Sequence, residues 1–557
     1  MQAPTPSLLP LADPHRPREA EGCGSSVPRS TMGKRRAAVL IGVHLLVFLH
    51  VWHWLSTGRT LTPLEPSEAG ETLLTGAVNA GFLLFALAIL ATLVVGRFFC
   101  GWVCHVVAYQ DLAAALLRKV GLAPRPVRSR LLLFVPFYAA FSMFLWPSIR
   151  RHWVDGEPLP ALTWHLTTEG FWDRFPGLWV SLATFLVCGG LIVWILGAKG
   201  FCTYACPYGA FFGLVGRHAP GRIRVSDACE GCGHCTAVCT SAVRVHAEVA
   251  RFGQVVDPGC MRCLDCVSAC PKDALSFGFA RDERAKAKGR LGFLARLRRP
   301  PKENARWDFR WSEEVLLLIA FAVSVWSLRG AYGQVPFLLA LGLAVLVAFG
   351  CVTWLRLVLQ RDLTVQHAAW RREGRFTSWG ALGLAGLPLA FGLVAHTGTV
   401  QYHAREGERL LVEVAADPRG DQERLPRAVE HLRSASSLAL IDTFKLENQL
   451  GQALVRVRDE VGARRHLERA IELEPERVSA RVELAWIHAR AQDPSAAAAT
   501  LSPVVEDGIH DARYVGAVAR MLERYGDDAD LRALEQRMQA AFAAATAEGS
   551  PGPDPAR

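Results

Sequence analysis

The chain has 557 residues, of which 51% are hydrophobic and 20% are charged, with a net charge of +10. A chain this long and this apolar is expected to form several domains, and these values exclude both a single water-soluble globule and a mainly disordered protein. The fifteen cysteines do not form a small secreted disulfide framework either, because ten of them lie between Cys202 and Cys270.

Apolar segments dominate the first 400 residues. Residues 1–36 are rich in proline and serine and lack an apolar core, so they are predicted to be a disordered tail rather than a cleavable signal peptide. Seven apolar segments near the length of a bilayer span, about 20 residues, then follow. They are Ala37–Leu55, Leu73–Gly96, Leu131–Ser148, Phe175–Ala198, Val315–Leu328, Gly330–Leu355 and Trp379–Val400. The sequence predicts a polytopic bundle of about seven spans, four in residues 37–224 and three in residues 313–400.

The positive charge lies in alternate loops between these segments. Residues 97–130 hold six Lys or Arg residues and one acid, and the linker 281–312 holds eleven against four acids. The loops 57–71 and 149–174 carry more acids than bases. Because Lys and Arg favour cytoplasmic loops, we expect the N-terminus and the linker inside and the C-terminus outside. The charge is explained by topology, and no nucleic-acid partner is expected.

Three histidines, His44, His50 and His53, lie in the first predicted span, beside two tryptophans. Ionisable residues inside a membrane suggest a functional site. A quinol site near His50 and His53 is one interpretation, since quinol oxidation needs a proton acceptor. Interfacial histidines beside tryptophan anchors are the alternative interpretation.

A short cysteine motif follows the second and the fourth predicted spans. Cys100 and Cys104 form one C-x3-C pair, and Cys202 and Cys206 form the other. The repeated order of two spans and one motif indicates an internal duplication. If each motif continues the helix, its two thiols share one face. The four thiols could then hold an iron–sulfur cluster, a copper or zinc ion, or a redox-active disulfide, and the sequence leaves these alternatives open.

His105 follows Cys104 directly and completes a C-x3-C-H string, a lengthened relative of the c-type haem motif. Covalent haem attachment takes place outside the cytoplasm, whereas this string is predicted inside. We therefore expect no haem here. An extra ligand, a proton acceptor and a plain helix-end histidine remain open as roles for His105.

Two consecutive C-x2-C-x2-C-x3-C runs in residues 225–280 form the strongest motif. Such runs bind [4Fe–4S] clusters in bacterial ferredoxins, and the fourth cysteine of a run ligates the cluster of the other run. One cluster is expected on Cys229, Cys232, Cys235 and Cys270. The second cluster is expected on Cys260, Cys263, Cys266 and Cys239. Zinc is the alternative metal, and two successive four-cysteine runs argue against it.

The residues around these runs predict a small α+β module. Three β-prone stretches, Arg222–Val225, Val243–His246 and Gln254–Asp257, are expected to form a two-stranded frame. His234, inside the first run, is expected to be a surface residue that modulates the reduction potential through hydrogen bonding.

With these motifs in place, residues 37–280 resemble the membrane-bound [4Fe–4S] polyferredoxins related to NapH, NosR and FixG (CcoG). The resemblance implies a protein of the bacterial inner (cytoplasmic) membrane that passes electrons from the quinol pool or the cytoplasm to a respiratory or assembly partner. The second motif, Cys202–Pro207, matches the family pattern. The first motif has His105 where the family has proline, which puts any role of that proline in doubt.

Residues 405–545 predict an α-solenoid of tetratricopeptide-like repeats that docks a partner protein. Small and apolar residues recur after 34 residues, the period of this repeat. Leu450, Gly451 and Ala463 are followed by Leu484, Ala485 and Ala497. The final residues, 546–557, are predicted to be a flexible tail.

The sequence thus predicts a mainly α protein with a membrane bundle, an inserted two-cluster ferredoxin module and a C-terminal solenoid. The expected function is membrane-bound electron transfer through two [4Fe–4S] clusters, with a third cluster or copper at the C-x3-C pairs. An electron carrier or oxidoreductase subunit is expected rather than a stand-alone enzyme. The alternatives are a copper- or metal-handling reductase or assembly factor for a respiratory oxidase, and a scaffold whose repeats recruit a redox partner.

Overall fold

The computed structural model describes residues 26–171, 177–279, 307–417, 421–506, 512–525 and 528–547. These residues fall into two compact units. The first unit holds the described residues up to Arg329 and Pro336–Phe391, and the second holds Gly330–Val335 and the described residues from Gly392 onward. The predictions for most of the N-terminal tail, for most of the basic linker and for the last ten residues lie outside the described residues.

Within the described ranges, six helices are long and apolar enough to cross a membrane. They are Met32–Thr57, Leu132–Val154, Leu178–Leu196, Trp311–Leu328, Phe337–Leu359 and Ser378–Ala416. The first of them begins inside the predicted tail, so the prediction of disorder up to residue 36 was wrong at its end. The fifth predicted segment, the shortest in the sequence, is a full 18-residue helix because Trp311 and Glu314 belong to its first turn.

The second predicted span, Leu73–Gly96, is not continuous, and this prediction was wrong. A short helix, Ala69–Thr75, ends at Gly76, whose φ of 77° is left-handed and suits glycine. An apolar helix of 16 residues, Ala80–Val95, then starts after Asn79, whose side chain accepts a hydrogen bond from the amide of Phe82. This helix is about 24 Å long, shorter than the roughly 30 Å hydrocarbon core of a bilayer.

The ferredoxin module contacts the start of one apolar helix and the end of the next. Arg36 lies near the start of the first membrane-length helix and pairs with Asp265 of the module. Arg97 follows the helix Ala80–Val95 and donates to the carbonyl of Pro258 in the module. Arg128 precedes the third predicted span and donates to the carbonyl of Ala242, also in the module. Asp308, just before Trp311–Leu328, donates its amide to the carbonyl of Arg128. The apolar helices therefore run alternately away from the module and back towards it.

Two small strand pairs join the opposite ends of the first four segments. Thr60–Leu61 pairs antiparallel with Thr167–Thr168. Ala77–Val78 pairs in parallel with Thr163–Trp164. The loop after the first span is therefore fixed to the loop between the third and fourth predicted spans.

The ferredoxin module has a two-stranded antiparallel sheet, Arg222–Val225 with Leu275–Gly278, and three short helices. The helices are His234–Ala237, Val245–Phe252 and Asp265–Ser268. The first predicted strand is correct, but the predicted strand Val243–His246 is wrong, because these residues lead into a helix. Gln254–Asp257 contributes only a single bridge, from Gln254 to Arg224. The strand that pairs with Arg222–Val225 is Leu275–Gly278, which follows the second cysteine run. Both cysteine runs therefore lie between the two paired strands in the chain.

The second unit is a row of antiparallel helices. Its helices after the last span are Asp421–Leu438, Phe444–Arg456, Glu460–Leu473, Val478–Arg490, Pro494–Glu506, Ala512–Tyr525 and Ala529–Ala547. The last span continues 16 residues past its predicted end at Val400, and Leu410 and Val414 are buried in this unit. A Cβ on Gly451 would lie 2.7 Å from the side chain of Leu467, so the small residue allows two helices to approach closely.

Candidate iron–sulfur sites

Both C-x3-C motifs fold into the same turn between two helices. The helix Phe98–Trp102 ends before Cys104, which is extended at φ −64° and ψ 124°. The helix Gly200–Tyr204 ends before Cys206, which is extended at φ −74° and ψ 117°. Neither motif continues its helix, so the condition for two thiols on one helical face is not met. The two halves share one backbone path, which supports the predicted duplication.

The residue after each second cysteine begins the next helix. Pro207 occupies the first position of the helix Pro207–Gly216, and His105 occupies the same position in His105–Lys119. An amide at this position needs no partner inside the helix, so proline is favoured there and histidine is tolerated. The first motif therefore keeps the backbone geometry of the second without the proline.

The four C-x3-C thiols are brought together in the interior of the first unit. Cys100, Cys202 and Cys206 are buried in one core, and Cys104 packs against that core. Burial, together with the charges of Cys202 and Cys100, raises the pKa of the Cys104 thiol to about 12. Burial and the charges of the other three cysteines likewise raise the pKa of Cys206 well above its ordinary value.

Cationic and amide groups surround these thiols. The Nε2 amide of Gln110 donates to Sγ of Cys202 at 2.9 Å, and a guanidinium nitrogen of Arg97 lies 3.9 Å from Sγ of Cys100. Burial raises the pKa of Cys202 to about 11, against the opposing effect of Lys199. A buried set of four thiols with cations and a hydrogen-bond donor beside it suits an anionic thiolate-ligated group.

The first ferredoxin site is a cavity of about 290 Å³ beneath the sheet. Four cysteines line it, and they are the set expected for the first cluster: Cys229, Cys232, Cys235 and Cys270. Burial raises the pKa of Cys235 to about 12, and the charges of the other three cysteines act on the same thiol. The cavity and its four thiols thus fit the cluster that the spacing predicts.

His234 also lines this cavity, and its position corrects the sequence prediction. The side chain is fully buried, with 0% exposure, rather than on the surface. Among the described residues, neither ring nitrogen has a hydrogen-bond partner. A buried imidazole without a partner costs about 1–3 kcal/mol, so a sulfur atom in the cavity is a fitting acceptor for its N–H.

The second ferredoxin site is formed by the other four cysteines. Burial, together with the charge of Cys260, raises the pKa of Cys239 to about 12. Cys266 is buried, and after burial its pKa is raised most by the charges of Cys263, Cys260 and Cys239, in that order. The fourth cysteine of the first run thus lies with the second run, as in the crossed ligand pattern of two-cluster ferredoxins.

In the described part of the chain, no three His, Cys, Asp or Glu side chains are arranged to hold a single metal ion. A [4Fe–4S] cube bonds each thiolate to a different iron, so its ligands stand farther apart than those of one ion. When bound, such a cluster supplies one-electron oxidation and reduction.

The second cysteine run lies directly against the first C-x3-C motif. A Cβ on Gly101 would lie only 2.3 Å from the carbonyl oxygen of Met261, so glycine is required for this approach. The indole of Trp102 donates to the carbonyl of Arg262 at 2.9 Å. Arg97 donates to the carbonyl of Pro258 at 3.1 Å. Two backbone segments that both carry candidate ligands are therefore in van der Waals contact.

A buried ion network fixes this contact. Arg36 donates to Asp265, the residue before Cys266, at 3.0 Å, and to the carbonyl of Gly101 at 3.0 Å. Arg36 also pairs with Asp111, which in turn pairs with Lys199. Sequence reasoning missed these residues, although Asp111 is the only acid in the basic segment 97–130.

The histidines of the first span have local partners. A ring nitrogen of His50 lies 3.0 Å from the carbonyl of Leu61, and one of His53 lies 3.1 Å from the hydroxyl of Thr60. These contacts favour the interpretation as interfacial residues that fix the following loop. His44 instead approaches the hydroxyl of Tyr109 at 3.2 Å.

Comparison with known families identifies three parts of the chain. Residues 80–122 and 179–226 match a 4Fe-4S binding domain, and residues 221–271 match a 4Fe-4S dicluster domain. Residues 456–521 match the tetratricopeptide repeat, which confirms the predicted repeats. The first model covers both C-x3-C pairs, and the second covers both ferredoxin runs.

Ferredoxin-type proteins are among the similar curated proteins. The methylamine utilization ferredoxin-type protein MauN of Methylorubrum extorquens is 33% identical over 182 residues, 32% of this chain and 60% of its own length. The ferredoxin-type protein NapH of Haemophilus influenzae is 29% identical over 213 residues, 36% of this chain and 67% of its own length. No solved structure matches the chain. The predicted resemblance to ferredoxin-type proteins, with membrane-length helices and tetratricopeptide repeats added, is confirmed.

Proposed function

We propose that this protein is a membrane-bound electron carrier that passes single electrons between a ferredoxin module with two [4Fe–4S] clusters and a third redox site on Cys100, Cys104, Cys202 and Cys206. The observation that carries the proposal is the backbone contact between Gly101 and Met261. It joins a loop that carries ligands of the second cluster to a loop that carries half of the third site. The matches to 4Fe-4S domains over both regions support the same proposal.

The chain's own residues bind and orient these groups. Eight thiolates of the module hold the two clusters, one set being Cys229, Cys232, Cys235 and Cys270 and the other Cys239, Cys260, Cys263 and Cys266. Arg97, Gln110 and Lys199 stabilise negative charge at the third site. Burial excludes water from this site, which limits loss of electrons to solvent.

We further propose that the protein lies in the bacterial inner (cytoplasmic) membrane, with the ferredoxin module in the cytoplasm and the repeats outside. The support is the excess of Lys and Arg in the loops near the module, such as residues 97–130. The repeats would then dock a redox partner protein on the outer side.

Metal analysis of anaerobically purified protein tests the electron-carrier proposal. Three clusters predict about twelve irons and twelve acid-labile sulfides per chain, four of each per cluster. Replacement of Cys100, Cys104, Cys202 and Cys206 by serine should lower both counts to about eight and leave the ferredoxin signals in paramagnetic resonance. Cys351→Ser, a single substitution of a cysteine outside all three sites, is the control. Protein that binds zinc and contains no labile sulfide contradicts the proposal.

A copper-handling reductase is the second candidate, because four buried thiols are also a soft ligand set that suits Cu(I). The described side chains are not arranged around a single ion, so this candidate requires the thiols to move closer together when copper binds. The same quadruple variant separates the candidates. If the wild-type protein binds copper in place of the third group of four irons, and the variant loses that copper, the third site is a copper site fed by the ferredoxin module.

A further inference from the structure

The two ferredoxin sites differ in what surrounds them. Six consecutive residues around the first site, 226–231, are all exposed, and Cys229 is among them. In the second run, Met261, Arg262, Asp265 and Cys266 are buried. The first site, with Cys229, therefore faces water and is called the outer site. The second site, with Cys266, faces the membrane bundle and is called the inner site.

The inner site is held against the bundle on several sides. Gly101 and Trp102 contact the backbone of Met261 and Arg262, and Arg36 pairs with Asp265. Arg262 donates to the carbonyl of Gly221 at 3.2 Å, at the entry to the module. Among the described residues, these contacts cover the side of this loop that faces the bundle.

The outer and inner sites share one small core. Cys235 and Cys270 of the outer set pack in the same cluster of side chains as Cys239, Cys260 and Cys266 of the inner set. Cys229, in contrast, lies on an exposed loop next to Glu230, whose carboxylate pairs with Lys272 at 2.9 Å. The described surface near the outer site is therefore polar and hydrated, and it suits a water-soluble protein rather than a lipid-soluble molecule.

We propose that the loop 226–231 is the docking port for a water-soluble one-electron carrier protein, and that the run Cys260–Cys266 holds the inner relay to the C-x3-C site. The order rests on the proposed electron-transfer function. One electron leaves the reduced carrier, which is oxidised, and reduces the group held by Cys229, Cys232, Cys235 and Cys270. That electron then passes inward to the group on the second run, and no bond is made or broken.

Magnetic relaxation of the two clusters tests the order directly. The full-length protein is reduced with dithionite, and its paramagnetic signals are power-saturated with and without a dysprosium chelate in the buffer. Cys229→Ser and Cys263→Ser identify the outer and inner signals, and Cys351→Ser is the matched control. The chelate should enhance relaxation of the outer signal several-fold more than that of the inner signal.

Equal enhancement of both signals, or a larger effect on the inner signal, overturns the order while the electron-carrier function stands. Absence of iron and labile sulfide overturns the electron-carrier function itself and the order with it. The two failures are therefore distinct.

A charge variant that touches no ligand tests the port. Ala228 is exposed beside Cys229, and Glu373 is exposed in a turn between the last two membrane-length helices, outside the loop 226–231. With a reduced acidic flavodoxin as electron donor at low salt, Ala228→Arg should increase the second-order rate of cluster reduction several-fold, because a charge at a docking site changes the association rate. Glu373→Arg should leave that rate unchanged. Equal rates in the two variants contradict the docking port.

Discussion

Arg36 and Asp265 form a buried ion pair of 3.0 Å that joins the start of the first membrane-length helix to the second cysteine run. Both side chains are almost fully removed from solvent, with 4% and 8% exposure. Ser30 donates a further hydrogen bond of 2.6 Å to the same carboxylate. The pair lies between the two loops whose contact defines the proposed electron path.

Arg36→Met should therefore weaken the attachment of the module. It leaves the carboxylates of Asp265 and Asp111 without their guanidinium, and loss of one partner of a buried pair costs about 3–5 kcal/mol. We expect a lower thermal midpoint and faster proteolysis of the module. Arg35→Met, at the exposed neighbouring position, is the control. A variant as stable as that control would show that the pair contributes nothing to docking.

Gly101→Ala should disturb the contact between the two loops. The added Cβ meets the carbonyl oxygen of Met261 at 2.3 Å, and overpacking of this kind costs roughly 1–3 kcal/mol. We expect slower electron transfer from the ferredoxin clusters to the third site in a rapid-mixing experiment, with the outer cluster's resonance signal unchanged. Gly42→Ala, where a Cβ meets nothing within 4 Å, should behave as wild type. Unchanged transfer in Gly101→Ala argues against this contact as the electron path.

His234→Phe should lower the reduction potential of the outer cluster. A hydrogen bond to sulfur stabilises the more negative reduced form more than the oxidised form, so its loss lowers the potential. The whole energy of one bond to a charged group, about 1.5–3 kcal/mol, sets an upper bound of roughly 60–130 mV for one electron. A redox titration followed by paramagnetic resonance measures the change, and the inner cluster should keep its potential. His218→Phe, at an exposed site, is the control, and His234→Gln should restore part of the potential. An unchanged potential in His234→Phe excludes the hydrogen bond.

Deletion of residues 405–557 should leave all clusters in place. The first unit has its own core, which includes the C-x3-C cysteines. The ratio of iron to protein and the resonance spectrum should match those of the full chain. Deletion of residues 225–279 is the opposite control and should remove about eight irons. Loss of iron on removal of the repeats would contradict the independence of the first unit.

The sequence by itself determined the division into membrane-length helices, a ferredoxin-type region and repeats, and it predicted the ligands of the two ferredoxin sites. Ligand spacing is a local property, so the runs from Cys229 to Cys239 and from Cys260 to Cys270 predict their clusters without a fold. Helical repeats are also read from period alone, as in the 34-residue recurrence of Leu450 and Leu484. The ligand roles themselves remain predictions that metal analysis has to test.

Only the tertiary structure decided which of these sites lie next to one another and which face water. Gly101 and Met261 are 160 residues apart in the chain, and no periodic pattern links them. The burial of His234 and the ion pair of Arg36 with Asp265 likewise depend on how distant segments pack. The break at Gly76 and the turns at Cys104 and Cys206 were missed because left-handed glycine and helix-start geometry override apolar composition over a few residues. Packing between distant segments therefore sets which of these cysteine sites lie next to one another, while local spacing predicts their ligand chemistry.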